Sequence, residues 1–322
     1  MAATLNLNEL SQCDTLEEKA KIFLLGIEER TQQSLDFIRT KYAQYEKLDI
    51  AMIFSGFDLL DTLKAGSTEL LRGGFYPSTE AGMELDQALK HALIGSYKAA
   101  YADLRRSLEM VLFSVYLTSK HKDHKWAFEW MESKEDTPYF SRILKDLAKE
   151  DKYKELDAGF EWVTHVKQLY WKLSDFAHNK GKLNGYRELN KINMHIGFTY
   201  ATNINLDTLI DFCDYFLETL GEITTILALY NPILLVGVPI DEKFGFNPPM
   251  SGYFYDVQAE RLNALIPAKY RSFFDDMIAN DKEIIGILEW FNDQPDLTEE
   301  DFKKQAEEQD RMMNNFSNKE EQ

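Results

Sequence analysis

Two cysteines, Cys13 and Cys213, are all that 322 residues contain, and they form no CxxC pair or metal-spaced set. That excludes a disulfide framework and a zinc ribbon. Glycine (16) and proline (8) are scarce for this length, which argues against a many-turned all-β fold. Positive charge is in deficit too: 36 Lys and Arg face 54 Asp and Glu, a formal net charge of −18. Such a field repels nucleic acid and anionic membrane over most of the surface, so any nucleic-acid contact has to rest on a local basic patch. The N-terminus MAATLNLNELSQCDTLEEK has no basic n-region and no apolar h-region, and the expectation is a cytoplasmic protein. The chain also lacks GxGxxG after a strand, a Walker A loop, HExxH and GxSxG, which removes the enzyme classes that those motifs mark. No cofactor is expected. No metal is expected either: His121 and His124 sit three apart in HKDHK, but the lysines beside them oppose a divalent cation.

What is present is a chain 44% hydrophobic and 13% aromatic, rich in Leu, Lys, Glu and Ala. That is enough to build a large core, and the expected fold class is mainly α, a helical bundle with a small irregular or hairpin segment and extra C-terminal helices. Thr15 and Glu18 have capping-box spacing, and Ile22, Leu25, Leu35 and Ile38 recur as the apolar face of a helix reaching about Tyr45. Gly73-Gly74 and Pro77 break the pattern before a helical block from Met83 to Lys120, with a boundary at Gly95-Ser96. Further helices are expected over 126–131, 139–147 and 160–177, and a long one over LDTLIDFCDYFLETLGEITTILALY. KINMHIGFTYAT reads as strand-like. The eighteen uncharged residues Ile223 to Ile240 contain Asn231-Pro232, so they read as a buried helix ending near Tyr230 and then a short extended segment, not a membrane span. Residues 231–256 hold half of the prolines and form a connector, dividing a bundle over 1–230 from helices and an acidic tail over 257–322.

Within the block 83–120, Leu104, Leu108 and Leu112 form a stripe that should pack against Val166, Leu169 and Leu173. Beside that stripe, LRRSLEMVLF offers Arg105, Arg106 and Glu109, spaced for an intrahelical ion pair or for presenting an arginine fork to phosphate or carboxylate. In YWKLSDFAHNKGK, Ser174 and His178 fall on nearly one helical face, and Asn179 and Gly181 mark a helix stop. From His165 to Lys191 there are six Lys or Arg against two acidic residues, the local basic patch of an acidic protein. Its anion-binding candidates are Lys172, Asn179, Lys180 and Lys182, with RNA as the conceivable ligand.

The pairing of AYADLRRSLEMVLF with LYWKLSDFAHNKG resembles helical domains of the HEPN superfamily, over roughly 85–182. The resemblance implies a homodimeric bundle in a bacterial stress or phage-defence setting, with a protein partner from the same operon. It implies two functions. One is a binding or scaffold protein without chemistry of its own. The other is a metal-independent endoribonuclease (toxin) in which His178 acts on a ribose 2′-hydroxyl, with Arg105, Arg106, Glu109 and Ser174 around it. Ribonuclease members carry an R-x4-6-H motif, an arginine with four to six residues between it and the histidine. Here Lys172 stands six before His178, and no arginine lies between Phe160 and His178, which favours the binding role.

Overall fold

The computed structural model describes residues 15–62, 73–120, 124–178, 204, 206–246 and 252–320. Among them the fold is mainly α, with a lone parallel bridge between Gly237 and Phe254. The strand-like KINMHIGFTYAT lies outside the described residues, as do Asn179, Lys180, Lys182 and the loop around them.

Helix α1 (Leu16–Lys41) opens with the expected capping box: Glu18 N donates to Thr15 Oγ1 and Thr15 N donates to Glu18 Oε2, each at 3.2 Å. It stops earlier than the sequence suggests, because Tyr42 turns extended, and its buried face also differs. Leu35 is exposed, while Arg30, Ser34, Ile38 and Tyr42, spaced by four, face inward. Two of these polar residues fit there because they reach specific partners: Ser34 Oγ donates to Leu93 O, and Tyr42 Oη donates to Asp214 Oδ1 at 2.8 Å. Helix α2 (Tyr45–Ile53) continues through a π turn, Phe54–Asp58, into the single turn Leu59–Asp61.

Helix α3 (Phe75–Leu93) starts well before Met83. Pro77 interrupts nothing, because it occupies the first turn, where the missing N–H has no intrahelical acceptor to lose. Gly74 just before it lets the chain run against the next helix. A Cβ there would meet Thr118 Cγ2 at 2.4 Å. The boundary at Gly95-Ser96 is observed, with Gly95 at φ 83°, and it folds α3 back onto α4 (Tyr97–Lys120). Helix α4 is central, packing on α3, α6 (Phe140–Leu147), α8 (Trp162–His178) and α9 (Leu206–Tyr230). Leu104, Leu108, Leu112, Val166, Leu169 and Leu173 are all buried, so the α4–α8 seam is the one the stripes imply.

Helix α5 (His124–Met131) leads to α6, and α7 (Asp151–Phe160) was not foreseen in the sequence. The helix expected from Phe160 is two: Glu161 sits in the left-handed region (φ 52°), and α8 begins at Trp162. Helix α9 ends at Tyr230 as expected. The segment after it is a buried 3-10 turn, Pro232–Leu235, instead of extended chain. This stretch contributes Leu234, Leu235 and Phe254 to the main core, together with Leu262 and Leu265 of α11 (Asp256–Leu265), Tyr270 of the turn Ala268–Tyr270, and Phe274 of α12 (Arg271–Asn280). A satellite core of Val238, Ile240 and Phe291 joins α10 (Ile240–Phe244) to α13 (Lys282–Asp293). The acidic tail forms helix α14 (Glu299–Glu320), held by Gln305, which accepts from Phe246 N and donates to Phe244 O. No described helix is long and apolar enough to cross a membrane.

Candidate functional site

Packing α8 on α4 brings Arg105, Glu109 and Tyr170 together. Arg105 Nε lies 3.8 Å from Glu109 Oε2, its guanidinium covers the Tyr170 ring at 5.7 Å, and Tyr170 Oη donates to Glu109 Oε1 at 2.8 Å. Burial, and then the hydrogen bond to Glu109, pushes the Tyr170 phenol up. Arg106 does not join them. One position on, about 100° around the helix, it meets Glu84 of α3 at 2.8 Å and the buried carboxylate of Asp103. Asp103 also binds His91 Nδ1 at 2.6 Å. Ser174 of α8 is buried. Lys172 is exposed, with its ammonium 5.9 Å from the Tyr215 ring. The side chain of His178 lies outside what the structure describes.

In front of Glu109 and Tyr170 a cleft of about 390 Å³ opens between α4, α6 and α8. Phe140 stacks on Tyr170 at 3.9 Å between centroids and forms one wall with Phe113 behind it. Tyr139 and Trp171 stand at the rim, 85% and 62% exposed, with Lys167 beside them. Large aromatics held open to water next to one carboxylate and one ammonium can grip an apolar side chain and orient its polar neighbours.

A second cavity, about 450 Å³, was not foreseen. It lies where α2, α8, α9 and the Pro267–Tyr270 turn meet, and its floor is Glu222, fully buried on α9. Glu222 accepts from Trp162 Nε1 at 3.0 Å and Tyr270 Oη at 3.3 Å, with His165 Nε2 at 3.3 Å and Lys269 Nζ at 4.0 Å. Burial raises its pKa from the usual carboxylate value to about 7, against the opposing pull of Lys269 and the two hydrogen bonds. Burial lowers that of His165, helped by Lys269. Burial also lowers that of Lys47, with Arg271 as the like-charged neighbour. A clue was present in the sequence: Glu222 is the single charge in LGEITTILALY, an otherwise uncharged and mostly apolar stretch of helix. Its partners come from distant parts of the chain and share no local motif.

Among the described residues no group of three or more His, Cys, Asp or Glu is placed to hold a metal ion. Cys213 is buried, its thiol pushed up to about 12 by burial, and is no nucleophile. No family model, curated protein or solved structure matches the chain.

Proposed function

We propose that the protein is a binding component without catalysis of its own, of the kind that its HEPN-like sequence pattern implies in bacterial stress or phage defence. It takes a protein partner through the aromatic cleft between α4, α6 and α8. The observation that carries this reading is where the two arginines of LRRSLEMVLF point. Arg105 lies against Glu109 and Tyr170, and Arg106 against Glu84 and Asp103, so both guanidinium groups face carboxylates of the same chain. A phosphate entering there would have to displace those partners, at the cost of leaving a carboxylate unpaired. The cleft beside them offers aromatic area with few polar groups, which suits a hydrophobic anchor residue of a protein segment.

The test is binding to proteins encoded beside this gene, measured by titration calorimetry. Trp171→Ala or Tyr139→Ala should weaken a partner by about tenfold or more without changing the circular dichroism spectrum. The endoribonuclease reading takes its place if purified protein cuts RNA in EDTA and stops on His178→Ala.

A further inference from the structure

Asp214, Glu218 and Glu222 recur every four residues on α9 and form one wall of the 450 Å³ cavity. Each is already engaged. Asp214 accepts from Tyr42, Glu218 lies 3.6 Å from His165 Nε2, and Glu222 holds Trp162 and Tyr270. The facing wall carries Lys47 from α2 and Lys269 from the Pro267–Tyr270 turn. Lys269 lies over the Tyr270 ring at 4.6 Å and reaches Glu222 only at the limit of an ion pair. Lys47 differs: it forms no ion pair with a carboxylate among the described residues, and its charged neighbour is a second cation, Arg271. A partly desolvated ammonium beside another positive charge is stabilised by an incoming anion. Gln44, which also lines the cavity, adds an amide donor, and Leu217, Leu265 and Pro267 supply apolar wall. The volume falls in the range of small-molecule sites.

We propose that this cavity binds a small molecule through an oxyanion, carboxylate or phosphate, clamped by Lys47 and Lys269, with Glu222 gating the second lysine. While Glu222 is protonated, the charge of Lys269 is free for the ligand. When it ionises, it competes for that ammonium. Trp162 and His165 face Glu222 from α8, Lys269 and Tyr270 from the turn, and Glu218 from its own helix. Burial lowers the pKa of His165 and raises that of Glu222 to about 7, inside the working range. Ligand uptake is therefore coupled to proton uptake, and affinity falls as pH rises through that value.

Sulfate is the first probe, because its charge is constant between pH 6 and pH 8, and succinate is the carboxylate probe. Binding followed by side-chain NMR of the lysine ammonium groups should be weaker at pH 8 than at pH 6 by about tenfold, one pKa unit of coupling. Lys47→Met should cost about tenfold or more, and Glu222→Gln should bind equally at both pH values. A preference for sulfate points to phosphate ligands, and one for succinate to carboxylates. The proposal is overturned if neither probe shifts the Lys47 and Lys269 signals of the wild-type protein, which needs no variant to fold. Unchanged affinity in Lys47→Met and Lys269→Met overturns it too, as does wild-type affinity that does not vary with pH.

Discussion

Glu222 is the residue where burial has the most to say about behaviour. Its carboxyl is held at about 7 in the fold and near 4.5 when the chain is unfolded, so between those values the folded state binds the proton more tightly. Stability that depends on that proton is full below the unfolded value and is lost as pH rises through the folded one. His165 runs the other way, its lowered pKa costing stability on acidification below its usual 6.5. Above that point Glu222 dominates. Denaturation in urea should show a loss of about 1 kcal/mol between pH 6.5 and pH 8, and Glu222→Gln should flatten that slope. Leu108 makes the complementary case for apolar burial. It is fully buried in the α4–α8 seam, and Leu108→Ala should cost about 2–5 kcal/mol, since the helices close only partly over the lost volume.

At the scale of elements, the helices are set by ends and turns as much as by their apolar stripes. Gly95, at φ 83°, makes the α3–α4 hairpin, and Gly95→Ala should cost about 1–2 kcal/mol because a side chain resists that conformation. Gly286 lies inside α13 with nothing within 4 Å of where its Cβ would stand. Gly286→Ala should raise stability by about 0.5–1 kcal/mol, and thermal melting of the two variants should move in opposite directions. Breaks decide more than propensity does. Glu161 in left-handed conformation separates α7 from α8, and that bend directs Trp162 and His165 toward α9. Pro77, which looks like a breaker in the sequence, instead starts α3.

For the whole molecule, one core runs from α1 to α12, and Leu234, Leu235 and Phe254 pack into it beside the satellite core. Helix α14 is attached through Gln305 and the Phe302–Phe246 ring contact, and none of its described side chains is fully buried. Hydrogen exchange should therefore find α4 and α9 the slowest elements and α14 among the fastest. The sequence by itself determined the mainly α class, the long helices α1, α4 and α9, the capping box at Thr15 and the apolar stripes that meet in the α4–α8 seam. All of these follow from periodicity, caps and breakers within a few turns of chain, where spacing alone says which residues share a face. Tertiary structure decided which way the paired arginines point. Arg105 and Arg106 are adjacent in sequence, yet one meets Glu109 on its own helix while the other meets Glu84 of α3, and only the packing of α3 on α4 settles that. The cavity floored by Glu222 was out of reach of any local pattern. Its walls come from Lys47, His165, Glu222 and Lys269, far apart in the chain, and a carboxyl acquires a pKa near 7 only when folding has taken it out of water.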